Sequence, residues 1–192
     1  MHELQTGVLA TPDETLVELA RGGDRPAREE LFRRHWEIAY RVAYRLLGHE
    51  QDTLDAVQDG FLKAVIHLGD FDGRSKFGTW LLRVVTNAAL DAGRKRRRRP
   101  ALRLADAELD AVAAAIEDPS RRLQRADLRR ILDGALDRLS PPIRASFVLF
   151  AEAGLSYKEI AECQGVPVGT IMSRLHYARR KLQSSLEGID VP

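Results

Sequence analysis

The chain has 192 residues, 44% of them hydrophobic and 30% charged, which is enough apolar content to bury the core of one medium domain or two small ones and too much for wholesale disorder. No apolar run approaches the ~18–20 residues of a membrane helix, the start MHELQTGVLATPDE lacks the basic-then-apolar pattern of a signal peptide, and a single cysteine, Cys163, excludes an intrachain disulfide and a multi-cysteine zinc site and suits a reducing cytoplasm. The five histidines are scattered without an HExxH-like pair, so no metal site or other cofactor is expected, and the net charge of +2 conceals a strong segregation of 30 basic and 28 acidic residues along the chain.

Apolar residues recur at spacings of three and four, with no sustained period-2 alternation, so the chain reads as all-α. A first helix starts after Thr11-Pro12 and ends at Gly22-Gly23. A second runs from about Pro26, a favoured early position, to Gly48. A third spans about Asp52 to Leu68, with Leu54, Val57, Phe61, Val65 and Leu68 as its core stripe. The glycines of Gly69-Asp-Phe-Asp-Gly73 punctuate the chain. A fourth helix runs from about Phe77 into the run Arg94–Arg99, and Pro100 stops it. The stretch from Pro100 to Pro119, rich in Ala and acid, reads as a linker. A second helical block begins near Ser120. In it, Ser140-Pro141-Pro142 reads as N-cap, N1 and N2, and Ser156 with Glu159 as a capping box. The short helix that follows ends near Gly165, and a last helix runs from about Val168 to Leu186. The chain stops soon afterwards, so no further regulatory domain is expected.

Four surfaces are candidates for function. The stretch LSYKEIAECQGVPVGTIMSRLHYARRKL reads as a helix-turn-helix, whose second helix enters the major groove. Ile171, Leu175, Ala178 and Leu182 share its inner stripe, at ~100° per residue. The opposite face carries Ser173, His176, Tyr177 and Arg180, flanked by Thr170, Arg174 and Lys181, donors and bases suited to base edges and phosphates. The second surface is the acidic face of the third helix, Asp52, Asp55 and Asp59 with Gln58, a solvated face or one that meets a basic partner. These acids do not converge on a point, which argues against a magnesium site. The third is the loop Phe71–Lys76 with the helix face bearing Arg83, Asn87, Asp91 and Arg94, a pattern suited to single-stranded nucleic acid, through aromatic stacking and phosphate contacts. The fourth is the Arg94–Arg99 run, either a solvated tail or a source of salt-dependent phosphate affinity. Residues 74–99 hold nine bases and one acid, and residues 168–181 hold four bases and no acid, with five acids between Ala105 and Pro119. Two basic segments separated by an acidic one point to two contacts with a polyanion.

Taken together, three blocks resemble the compact extracytoplasmic-function (ECF) group of bacterial RNA polymerase sigma factors, over about Asp13 to Leu186. DTLDAVQDGFLKA (Asp52–Ala64) is similar to the D-x-x-D-x-x-Q-[DE]-x-F core-binding helix of that family. FDGRSKFGTWLLRVVTNAALDAGRKRRRR (Phe71–Arg99) is similar to its promoter-melting stretch. LSPPIRASFVLFAEAGLSYKEIAECQGVPVGTIMSRLHYARRKL (Leu139–Leu182) is similar to its −35-reading domain. The resemblance implies a sigma-2 domain over residues 11–99, a linker over 100–122 and a sigma-4 domain over 123–187. It implies that Asp52, Asp55, Gln58, Asp59 and Leu62 contact core RNA polymerase (the largest and second-largest subunits). It implies that Phe71, Arg74, Ser75, Lys76, Arg83, Asn87, Asp91 and Arg94 serve the −10 element, and Thr170, Ser173, Arg174, His176, Tyr177 and Arg180 the −35 element. It further implies a cytoplasmic protein with an anti-sigma partner, no small-molecule substrate and no catalytic step. Four places depart from the pattern, one of them Asp72-Gly73-Arg74, where the family has a common acidic or Arg-Gly form. Leu54 stands where the family often has Glu, Gly60 where a helix former would be better by about 1 kcal/mol, and Met172 where a basic residue is common. The runner-up reading is a stand-alone helix-turn-helix regulator, which leaves the Asp52–Asp59 face without a purpose. A metal-dependent nuclease would need a convergent carboxylate or histidine cluster, and none can be assembled.

Overall fold

A computed structural model describes residues 11–98 and 133–186, and among these every regular element is helical. The first stretch holds α1 (Asp13–Arg21), α2 (Arg25–Leu47), α3 (Glu50–Ile66), a 3₁₀ turn (Leu68–Asp70) and α4 (Phe77–Arg97). The second opens on a helical turn over 133–137 and continues with α5 (Pro141–Ala151), α6 (Tyr157–Gln164) and α7 (Val168–Leu186). The acidic stretch 100–122 lies outside the described residues. The helix starting near Ser120 begins outside the described residues; the boundaries of the other elements agree with the sequence reading to within a turn, several of them at Gly or Pro. Asp24 caps α2, accepting from the Ala27 N–H at 2.7 Å. Ser140 precedes the two prolines of α5 as expected but makes no side-chain cap bond.

Helices α1 to α4 share one core, in which Leu16, Leu31, Ala39, Val57, Leu81 and Val85 are fully buried. Asp13 ties α1 to α2, accepting from Arg34 at 3.0 Å and pairing with His35 at 2.7 Å. Arg33 and Arg34 both donate to Glu30 and hold its carboxyl down to about 2.

The buried stripe of α3 differs from the expected one. Thr53, Ala56, Val57, Gly60 and Ala64 face inward, while Leu54, Phe61 and Val65 are half-buried and Leu62 and Ile66 are exposed. The reason is a close approach to α4. A Cβ placed on Gly60 would lie 2.9 Å from Val85 Cγ2 and 3.0 Å from Val85 Cα, the second a backbone atom that no rotamer can move. Small residues let the two axes come together, and the larger apolar side chains are turned outward. The glycine that weakens α3 by propensity is required by packing.

Helix propensity alone favours Gly60→Ala by about 1 kcal/mol, whereas overpacking costs about 1–3 kcal/mol. The difference leaves up to about 2 kcal/mol of destabilisation, and the variant is expected to unfold at a lower temperature than the wild type, by up to roughly 8 °C. A raised midpoint in thermal denaturation would overturn the close-approach account.

Candidate nucleic-acid and partner interfaces

The acidic face of α3 is only partly free. Asp55, Gln58 and Asp59 are exposed one turn apart, and Leu62 (61% exposed) and Ile66 (66%) prolong the same side as an apolar stripe. Lys63 pairs with Asp59 at 2.7 Å and Gln51 donates to Asp55 at 3.1 Å, so local partners already offset part of the repulsion expected of the acid cluster. Asp52 is different. It is half-buried and accepts from Arg96 at 2.8 Å, which ties the start of α3 to the end of α4. That contact also takes Arg96 out of the supposed solvated tail. Beside Leu62, an apolar groove opens between α2 and α3, lined by Phe32, Trp36, Phe61 and Val65. Helical period places Phe61 and Val65 on the core stripe of α3 and gives no sign that Trp36, on another helix, lines a groove with them.

The loop after the 3₁₀ turn shapes a second site. Gly73 has φ +72°, and the Arg74 N–H and guanidinium both donate to Asp72, holding its carboxyl below the usual range. Phe71 is only 7% exposed, with its ring against Phe77 and Trp80 at 5.9 and 5.3 Å. With that burial the Phe71 ring is the floor of the loop. Arg21 of α1 lies over its other side, 5.9 Å from the centroid, anchored by the Leu68 carbonyl at 3.1 Å and by Glu18 at 2.7 Å. Loop and helix enclose a pocket of about 420 Å³, bordered by Glu14, Glu18, Arg21, Arg74, Ser75 and Lys76. Arg83, Asn87 and Arg94 are exposed along α4, while Asp91 is half-buried and pairs with Arg94. The contribution of α1 to this pocket had no signal in the sequence.

The C-terminal unit is a helix-turn-helix with its expected stops. Ser156 accepts from the Glu159 N–H, and Glu159 reaches back to the Ser156 N–H at 2.8 Å. Gly165 has φ +63°, the left-handed turn that glycine adopts without Cβ strain. Ile171, Leu175 and Ala178 are fully buried and Leu182 nearly so. Ser173, His176, Tyr177 and Arg180 face outward together with Met172 (55% exposed). Thr170 and Arg174 are half-buried. Arg174 donates to the Gln164 side-chain oxygen, which also accepts from Ser146 at 3.0 Å, so one glutamine joins α5, α6 and α7. Arg179 lies 5.1 Å from the Phe150 centroid and donates to the Tyr157 hydroxyl. Of the four bases on α7, Arg174 and Arg179 brace the helix, while Arg180 and Lys181 stay outward.

The comparisons with known proteins follow this division. Residues 31–99 match Sigma-70 region 2 and residues 129–182 match Sigma-70, region 4. The chain is 37% identical over 161 residues to the ECF RNA polymerase sigma factor SigE of Mycolicibacterium smegmatis, covering 84% of this chain and 62% of that relative. It is 32% identical over 181 residues to the RNA polymerase sigma-H factor of Pseudomonas aeruginosa, covering 91% and 94%. Among solved structures it is similar to CnrH in complex with the cytosolic domain of CnrY, with 28% identity and a TM-score of 0.69 over 93% of this chain and 99% of that one. It is also similar to RpoE of Bartonella quintana bound to the anti-sigma factor NepR, with 26% identity and a TM-score of 0.62 over 85% and 98%. An acid-and-apolar helix, a basic helix behind a loop pocket and a separate helix-turn-helix define a two-region sigma-70 protein. Within that class the chain belongs to the ECF sigma factors. No described helix is long and apolar enough to cross a membrane, and no described group of three or more His, Cys, Asp or Glu could hold a metal ion.

Bonds from Ser156 to the Glu159 carboxylate hold that group below the usual carboxylate range. A depressed folded-state value means that its stabilisation is complete above the unfolded range, near 4.3, and is lost as pH falls through the lower value. Glu159→Gln is expected to be less stable than the wild type at pH 7, by about 0.5 kcal/mol, with the gap closing below about pH 4. A gap that persists unchanged at pH 3 in urea titrations would remove the carboxylate charge from the account.

Proposed function

We propose that this chain is a promoter-specificity subunit that binds core RNA polymerase, recognises −35 and −10 elements and promotes strand opening, with no catalytic step of its own. The observation that carries the reading is the separation of an exposed acid-and-apolar stripe on α3 from the basic, amide-bearing face of α4 within one small helical unit. A stand-alone DNA-binding regulator has no use for the first of these.

In this reading residues 11–99 form sigma-2, residues 100–122 the linker and residues 123–187 sigma-4. Asp55, Gln58, Asp59 and Leu62 meet a basic and apolar surface of the largest polymerase subunit, and the groove beside Trp36 and Phe61 extends that contact. Asp52 supports the face by holding α4 through Arg96. Arg74, Ser75, Lys76, Arg83, Asn87 and Arg94 receive the −10 strand, with an unstacked base held in the loop pocket over Phe71. Capture of that base offsets an unstacking cost of a few kcal/mol. Ser173, His176, Tyr177 and Arg180 read the −35 element in the major groove, and Arg174 and Thr170 set the pose of the reading helix. Opening is driven by binding the single strand more tightly than the duplex, which needs no bond-making step. The acidic linker suits a basic channel in the polymerase interior. The relatives named as RNA polymerase sigma factors support the polymerase partner, and the neighbour solved with the anti-sigma factor NepR supports an anti-sigma partner. The site of action is the cytoplasm.

In vitro transcription with purified core enzyme and a small promoter library tests the proposal. Initiation above the bare core at a subset of templates is the expected result, and bare-core levels on every template would overturn it. Asp55→Ala with Gln58→Ala is expected to weaken core association roughly tenfold, about 1.4 kcal/mol, with helicity unchanged by circular dichroism. Arg180→Ala is expected to weaken binding of a −35 duplex by about 1–3 kcal/mol and to lower the salt slope by about 1. Unchanged affinities would remove those residues from the two faces.

A further inference from the structure

Helix α7 carries an exposed ridge of which only the second half has a role so far. Val168, Met172, His176 and Arg180 stand four residues apart, so they form one row that drifts by ~40° and rises ~6 Å at each step. All four are exposed. The row is apolar at its start, with Val168 41% and Met172 55% exposed, and polar at its end. Gly169 lies beside the apolar half, and a Cβ built on it would meet nothing within 4 Å. Packing inside the chain therefore does not call for that glycine, although an alanine would favour the helix by about 1 kcal/mol. The first turns of α7 thus present a smooth apolar strip to the outside.

Polar groups beside the strip are turned to other tasks. The Ser173 hydroxyl donates to the Thr170 carbonyl at 2.9 Å, and Arg174 donates to Gln164. On the ridge itself, the nitrogen-bearing side chains of His176 and Arg180 stand about one and two turns beyond Met172. A thioether and an isopropyl group form no strong hydrogen bond, so neither suits a phosphate, a base carbonyl or a base amine. The major groove offers one apolar group, the C5-methyl of thymine. A helix-turn-helix brings the N-terminal residues of its second helix to the base edges, and Val168, Gly169 and Met172 occupy that end. Residues 168–181 hold four bases and no acid, a balance that favours a polyanion over the mixed charge of a protein surface.

We infer that Met172, with Val168 beside it, determines specificity by packing on a thymine methyl in the −35 element. The inference rests on the proposed promoter function and deepens it. One ridge then reads in two ways: its apolar half senses a methyl, and its polar half makes hydrogen bonds to other positions. Loss of the apolar half removes a preference for thymine at one position and leaves the readout by Arg180 in place.

The experiment uses the full chain reconstituted with core polymerase and duplexes that carry a randomised −35 element. The tightest duplex is remade with single thymines replaced by deoxyuridine, which removes the methyl group and nothing else. At one position the wild type is expected to bind the deoxyuridine duplex roughly fourfold more weakly, the worth of one buried methyl group. At that position a 5-methylcytosine·guanine pair is expected to bind more tightly than cytosine·guanine by a similar factor. Met172→Ala is expected to bind the thymine and deoxyuridine duplexes equally, with wild-type helicity by circular dichroism. Met172→Lys is expected to do the same and to steepen the salt slope by about 1. Arg180→Ala is expected to weaken both duplexes and to keep their ratio. Equal binding of thymine and deoxyuridine duplexes by the wild type at every position overturns the inference, leaves the promoter function standing and gives the ridge to a protein partner instead. A selected element of G·C pairs alone, or a ratio that survives in Met172→Ala, likewise overturns it. Failure of the reconstituted chain to select any −35 sequence overturns the promoter function, and the inference with it.

Discussion

The close approach of α3 to α4 is the constraint on which the rest of the first unit depends. Gly60 lies against the backbone of Val85, flanked by Ala56 and Ala64. With no bulk between them the axes draw together, and each helix is fixed in rotation about its own axis. That rotation turns Leu62 and Ile66 out to solvent beside Asp55, Gln58 and Asp59. It also leaves Arg83 and Asn87 exposed on α4 while Leu81, Val85 and Ala89 are buried. An exposed acid-and-apolar stripe and an exposed basic stripe thus come from one packing contact. The ion pair from Arg96 to Asp52 holds the far end of the same helix pair.

The working parts of this arrangement are charges, amides and a small pocket, placed on stiff helices by buried apolar contacts. Side chains that look alike in sequence divide into those that brace and those that are left outward. On α7, Arg174 and Arg179 are spent on Gln164, Tyr157 and the Phe150 ring, while Arg180 is exposed. In the loop, the aromatic ring of Phe71 supports the backbone, and exposed polar side chains are presented above it. Bracing of this kind lowers the entropy lost when a ligand is bound.

The seam between the two units has a mixed character. It joins a modest apolar cluster, with Val42 and Leu82 against Val148, Leu149 and Ile160, to ion pairs at the rim, a composition common at contacts between domains.

The sequence by itself determined the helices, their ends and the helix-turn-helix, because Gly, Pro and capping residues act over a few neighbours. It also determined the family, through motif spacing that stays fixed along the chain. The acids at Asp55 and Asp59 and the outward residues Ser173, His176, Tyr177 and Arg180 were readable from helical period alone. Only the tertiary structure decided which stripe of α3 is buried, that Phe71 is a floor and not a stacking platform, that Asp52 serves Arg96, and that α1 borders the loop pocket. Each of these depends on residues far apart in the chain being brought within a few ångströms, as with Gly60 and Val85 or Thr79 and Cys163. Periodicity reports which residues share a face; it carries no information about which face a distant helix will cover.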